Sequence, residues 1–295
     1  MTMATAKATV DRPAATPRRD RSRMILRKLF RSGVFLTGFG IVLFWVFCAI
    51  FGIYLVPYDP LSSDILNALQ PPSAVHWFGT DQLGRDVFSR VIVGSREILV
   101  VAPAATLLAT VVGSALGLCT GYFRGVLDDV VSRIMEAVMA IPGVLLALLA
   151  IVSIGTSKVA VIVVIGLSFA PNIARTVRSA VMQERELDYV AAAHLRRENA
   201  AYVMFVEILP NVIPPILVEA TVRLGYAIFA VATLSFIGFG IQPPSPDWGL
   251  SISTNYGMIN GGFWWTVLFD ALAIASVVIG VNLVADGVQG AFSER

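Results

Sequence analysis

GVFLTGFGIVLFWVFCAIFGIYLV, residues 33–56, decides the fold, because it runs for 24 residues without a charged side chain. A helix rises about 1.5 Å per residue, and roughly 20 apolar residues are what a bilayer crossing requires. Nine basic residues lie ahead of it, as they would ahead of a secretory leader. A leader, however, has an apolar run of about 7–15 residues and then a small-residue cleavage site. Here the run is longer and Pro57-Tyr58-Asp59-Pro60 follows it, so it is read as a first transmembrane helix. Arg18-Arg19 is one pair among many in a basic arm and is not read as a twin-arginine signal.

The rest of the chain repeats the pattern. Further apolar runs cover 98–122, 137–154, 159–174, 212–239 and 263–288. Hydrophobic residues make up 56% of the chain and charged ones 14%, against about 25% charged in a globular domain. The mean hydropathy is +0.76. The reading is an all-α polytopic membrane protein with six transmembrane helices. The organisation that follows is a basic arm over 1–32, a first span over 33–56, an external segment over 57–94, a transmembrane core over 95–290 with a cytoplasmic loop at 178–210, and a tail over 291–295.

Orientation comes from where Lys and Arg fall beside the spans. With the N-terminus inside, the inner side holds 17 basic residues: the nine of the arm, then Arg124, Arg133, Arg175, Arg178, Arg185, Arg196, Arg197 and Arg295. The outer side holds Arg85, Arg90, Arg96 and Lys158. The expected topology is therefore N-in, C-in. Pro57, Pro60, Pro71 and Pro72 forbid one continuous helix over the outer segment, which should form a cap of turns and short helices.

Gly113, Gly117 and Gly121 recur every four residues and form a flat strip on one helix face, suited to close backbone packing where lipid gives no hydrophobic drive. The strip fits packing within this chain's own bundle or a seam with a partner. Glu219 and Arg223 lie four apart near the middle of the fifth run, on one helix face. Charges at that depth face protein or a wet cavity, so the pair reads either as structural or as lining a translocation path. Arg133 with Glu136 lies at an inner interface, and Asp270 and Asp286 stand in the last run. Cys48 and Cys119 are buried-type thiols inside apolar runs, and His76 and His194 are too scattered for a metal site. A Gly-x-x-x-x-Gly-Lys-Ser/Thr phosphate loop does not occur, so nothing in the chain is built to bind and hydrolyse ATP.

The inner loop is rich in charge, with Glu184, Arg185, Glu186, Asp188, Arg196, Arg197, Glu198 and Glu207 around Ala191-Ala192-Ala193. Small residues beside charges suit a short surface helix able to enter a groove on another protein. The run Tyr189-Val190-Ala191-Ala192-Ala193-His194-Leu195-Arg196-Arg197-Glu198, with Glu207-Ile208-Leu209-Pro210-Asn211 after it, resembles the loop of permease subunits of binding-protein-dependent ABC importers. In that family the pattern runs Glu-Ala-Ala, three residues, Gly, about nine residues, then Leu-Pro. The stretches 78–90 (FGTDQLGRDVFSR), 234–249 (LSFIGFGIQPPSPDWG) and 282–287 (NLVADG) are similar to the second permease of the dipeptide/oligopeptide branch. This chain departs from the pattern at Ala191, where the family has glutamate, and at Arg197, where it has glycine.

The resemblance implies the type I ABC importer permease fold in a bacterial plasma (inner) membrane. It implies docking of the helix at Tyr189–Glu198 into an ATPase, and import of dipeptides or oligopeptides, with nickel complexes or glutathione as alternatives within the branch. The implied partners are a homologous second permease, two ATPase subunits (or one fused ATPase), an external substrate-binding protein and the lipid bilayer, with no nucleic acid. ATP and Mg²⁺ would sit on the ATPases, leaving this chain without cofactor, metal or catalytic residue. Without the glutamate and glycine, the usual salt-bridge docking is not expected. A rival from another class, an ion-driven secondary transporter, would use intramembrane carboxylates such as Glu219 and Asp270, but such proteins are often built as repeated halves and no repeat is visible here.

Overall fold

A computed structural model describes residues 27–293, so residues 1–26 of the expected arm and 294–295 of the expected tail lie outside it. Among the described residues there is no strand beyond one bridge between Thr80 and Asp86. The helices are α1 (Gly33–Leu55), α2 (Val87–Phe123), α3 (Gly125–Ala140), α4 (Gly143–Ile154), α5 (Lys158–Glu184), α6 (Asp188–Leu195), α7 (Ala200–Ile237), α8 (Trp248–Asn255) and α9 (Trp265–Ser293). Helices α1, α2, α5, α7 and α9 are each long and apolar enough to cross a membrane.

The third expected span is not one helix. Over 137–154 the chain passes from α3 into α4 through a bend of 94°. Ile141 sits in the extended region (φ −85°, ψ 129°), where the following Pro142 ring drives its predecessor, so the helix cannot continue. The bent pair together makes the sixth crossing. The second span also differs, since α2 begins at Val87, well before its apolar run. Its 37 residues extend about 55 Å, which exceeds the hydrocarbon thickness and carries its first turns into the external segment.

Those first turns are tied down by polar contacts. Asp86 caps α2 by accepting from the Ser89 amide at 2.8 Å, and its other oxygen meets His76 Nδ1 at 2.9 Å. Arg90 is buried and donates to Pro60 O (3.0 Å), Ser245 O (3.1 Å) and Ser251 Oγ (2.8 Å), joining three separate stretches of chain. Trp248 Nε1 donates to Val91 O and Trp265 Nε1 to Thr80 O, which seats α8 and the start of α9 on the same cap. The expected cap of turns is present, with a 3-10 turn at Ile65–Asn67.

The opposite end of the bundle gathers the inner elements. Gln289 of α9 lines one hollow with Glu184 and Asn211, while Lys28, Arg31 and Asp286 line a neighbouring one. The start of α1, the end of α9 and the loop at α6 therefore share one end, as N-in, C-in topology demands.

The glycine strip packs within the chain. A Cβ on Gly113 would lie 2.6 Å from Ala170 O, and one on Gly117 would lie 2.5 Å from Ala174 O. Helices α2 and α5 touch backbone to backbone, gaining the close dispersion contacts that association in lipid depends on. Gly117→Ala must push α5 away, and overpacking of this kind costs about 1–3 kcal/mol. Purified protein in detergent should unfold at a lower temperature with Gly117→Ala. Gly143→Ala, where nothing lies within 4 Å, should leave the transition in place.

Candidate functional site

Helix α6 follows α5 after a short turn and ends with a left-handed cap. The Arg197 amide donates to His194 O (2.9 Å) and the Glu198 amide to Ala193 O (3.2 Å), the paired bonds of a Schellman motif. The first of those two donors takes φ > 0 in that motif, and Arg197 does so at φ 60°. Asn199 then caps the next helix by accepting from the Tyr202 amide at 2.7 Å. Thus the position at which this chain departs from the glycine of the resembled motif is one with a left-handed backbone, and Arg197 occupies it at a cost of about 1–2 kcal/mol.

The faces of α6 divide sharply. Val190 and Ala193 are fully buried with Val181 of α5, Tyr122 of α2 and Val203, Ile208 and Val212 of α7. Ala191, Ala192, His194, Arg196 and Arg197 face outward, and Leu195 is 86% exposed. Tyr189 lies between, donating to Glu184 Oε2 at 2.7 Å and accepting from Asn211 Nδ2 at 3.2 Å. Burial first, then the hydrogen bond to the Glu184 carboxylate, push the Tyr189 phenol up to about 12. Arg196 reaches Glu207 Oε1 at 2.9 Å and Glu198 Oε1 at 3.6 Å. Arg185 donates to Tyr122 O at 2.7 Å with its guanidinium over the Tyr122 ring. The helix is fastened to α2, α5 and α7 at once.

Glu207 belongs to a π-helical stretch, Val203–Ile208, where the Leu209 amide bonds back to Met204 O. Pro210 has no N–H to give Val206 O, which favours the wider turn. Further along α7, Glu219 Oε1 receives Arg223 Nε and Nη2, both at 2.7 Å, and Thr176 Oγ1 donates to Glu219 Oε2 at 3.3 Å. The pair is half-buried, and Glu219 opens on a hollow of about 400 Å³ between α5 and α7 lined also by Asn211, Pro214, Pro215 and Val218.

Sequence reasoning missed three features around α5. It placed Glu184 and Asn211 near the motif without linking them through Tyr189. It did not pair Arg178 with Asp128, whose carboxylate accepts Nε at 2.6 Å and Nη2 at 2.5 Å. Arg175, in sequence a charge that marks topology, lines a cavity between α3 and α5. The signal for the Arg178–Asp128 link was an acidic residue at the start of a short apolar helix, which burial turns into a partner for a cation.

Residues 113–295 match the family described as binding-protein-dependent transport system inner membrane component. Residues 21–72 match the N-terminal TM domain of oligopeptide transport permease C. The dipeptide transport system permease protein DppC of Alkalihalophilus pseudofirmus is 36% identical over 273 residues, 92% of this chain and 90% of its own. The probable D,D-dipeptide transport system permease protein DdpC of Escherichia coli is 34% identical over 84% of this chain and 83% of its own. The glutathione transport system permease protein GsiD of Pectobacterium atrosepticum is 33% identical over 99% of this chain and 96% of its own. Among solved structures, an inward-facing MetNI methionine ABC transporter aligns at TM-score 0.57 and 21% identity, over 68% of this chain and 96% of that one, a likeness of fold.

Arg197→Gly should raise stability by about 1 kcal/mol, because glycine adopts the left-handed cap without a Cβ clash. Thermal unfolding of the purified chain, compared with wild type at equal detergent, measures it.

Proposed function

Since the chain belongs to the binding-protein-dependent transport system inner membrane components, we propose that it carries short peptides inward as one of two permeases in an ATP-driven importer. The observation that carries the coupling half of this reading is the two-sided α6. Its inner face is embedded in the inner core through Val190 and Ala193, while Ala191, Ala192 and Leu195 stand free. An apolar side chain as exposed as Leu195 at the water-facing end of a membrane protein fits a protein groove.

In this reading the face from Tyr189 to Glu198 docks a separate ATPase subunit, with a homologous second permease and an external binding protein completing the complex in the plasma membrane. The ATPases hold ATP and Mg²⁺ and do the hydrolysis. Closure of the ATPase pair displaces α6, and because Val190 and Ala193 are buried among residues of α2, α5 and α7, those helices follow as a body. The two permeases then rock from outward to inward access. Docking rests on shape and apolar contact at Ala191, Ala192 and Leu195, since no carboxylate stands at 191.

Peptide as cargo is supported by relatives named for dipeptides, D,D-dipeptides and glutathione, all with amide bonds and free carboxylates. Glutathione is the second reading, favoured by a match that covers 99% of the chain. Glu219 and Arg223 line the inner part of the path in this reading.

Leu195→Asp should abolish stoichiometric co-purification of ATPases with a tagged chain while its own unfolding temperature is kept; retained ATPase partners would exclude α6 as the dock. Dipeptides should stimulate ATP hydrolysis by the reconstituted wild-type complex. Glu219→Gln alone leaves Arg223 uncompensated within a span and should lower expression. The double Glu219→Gln, Arg223→Gln variant should recover expression with uptake still reduced, whereas full uptake in the double variant would make the pair structural.

A further inference from the structure

The cavity between α3 and α5 holds a cation, Arg175, that makes no ion pair. It encloses about 410 Å³ under the elbow between α3 and α4, a size that takes a small ligand. Ser132, Met135, Glu136 and Met139 wall it from α3, and Pro171, Arg175 and Arg178 from α5. Two of its three charged residues are neutralised within the chain. Arg178 makes a bidentate pair with Asp128, which also accepts from Ser132 at 3.1 Å. Glu136 is paired with Arg133 at 3.1 Å.

Arg175 has no hydrogen-bond or ion-pair partner among the described residues and is exposed toward this space. It stands about 14 Å short of the inner end of α5, beside Ala174, whose carbonyl packs on Gly117 within the membrane-spanning part of α2. At the inner edge of the apolar run that ends at Ala174, an unpaired guanidinium faces water, an anion or another protein rather than acyl chains. Its fork of donors matches a carboxylate, which it binds with two parallel hydrogen bonds. Beside it, Met135 and Met139 supply a pliable apolar wall that moulds to side chains of different shape.

We infer that this cavity is a peptide-binding subsite in which Arg175 receives the C-terminal carboxylate of the cargo while Met135 and Met139 pack on its last side chain. The inference rests on the peptide reading above and names the group of the cargo that the chain reads. A carboxyl terminus is common to all unblocked peptides, so one arginine with two methionines accepts many sequences without selecting among them.

The test uses the complete complex with its own partners. Binding of radiolabelled alanyl-alanine is measured on the nucleotide-free complex without the external binding protein, in competition with unlabelled alanyl-alanine or its C-terminal amide. Wild type should prefer the acid to the amide by about tenfold or more, the value of one charge-assisted contact, and Arg175→Gln should abolish the preference while Arg175→Lys keeps part of it. ATP-driven uptake in vesicles should follow the same order.

Equal loss for acid and amide in Arg175→Gln overturns the inference. So does a defect that appears only in vesicles containing anionic lipid, which would make a lipid phosphate the partner. Failure of Arg175→Gln to co-purify with the second permease would make Arg175 an interface residue and would equally overturn it. If wild type neither binds nor takes up the dipeptide, the peptide reading fails separately. The carboxylate assignment is then decided by whether acetate protects Arg175 from phenylglyoxal, read by peptide mass mapping, with no protection overturning it.

Discussion

The backbone contact between α2 and α5 is the constraint on which the remaining structure depends. Lipid tails are as apolar as leucine, so two helices gain little by hiding apolar side chains from them and must gain from close packing instead. Gly113, Gly117 and Gly121 remove the side chains that would hold the axes apart, and Ala170, Ala174 and Val181 fill the space from the other side. The orientation of α5 is fixed by that contact. With it are fixed the directions in which Thr176 and Arg175 point, toward α7 and toward α3 respectively, and the place where the chain leaves the membrane to form α6.

Three cations of the long helices are handled by pairing. Arg223 is matched by Glu219 one turn away, Arg178 by Asp128 on another helix, and Lys158 by Glu97 at the outer end. Arg90 is treated differently, being satisfied mainly by carbonyl and hydroxyl oxygens drawn from three stretches of the cap. Against that background the guanidinium of Arg175 stands out, because the chain compensates Arg90, Arg178 and Arg223 and leaves this one without a hydrogen-bond or ion-pair partner among the described residues.

The helical spans were legible in sequence because hydropathy over twenty residues is a strong signal. The break at Ile141-Pro142 was not, since a proline within an apolar run is also compatible with a kinked continuous helix, and only tertiary contacts choose between them. The surface helix was legible from its alanines and charges, and its family role came from resemblance. Which of its residues face inward was not, because Val190 and Ala193 lie within a run whose neighbours are similarly small. The demand for a left-handed residue at Arg197 was hidden for the opposite reason: the side chain present there argues against the backbone it occupies. The Glu219–Arg223 contact followed from helical spacing, whereas Arg178 with Asp128 joins residues far apart in sequence and needed the fold.

The length of α2 has a mechanical consequence. Its outer turns are clamped by the Arg90 contacts and the Asp86 cap, while its inner end touches the core that holds α6. A helix of about 55 Å anchored at one end acts as a lever, and the part inward of Pro103, where a backbone hydrogen bond is lost, can swing about the clamped outer turns. A load settling on the cap and a pull at the opposite end would thus act on the same beam, one on its pivot and the other on its handle.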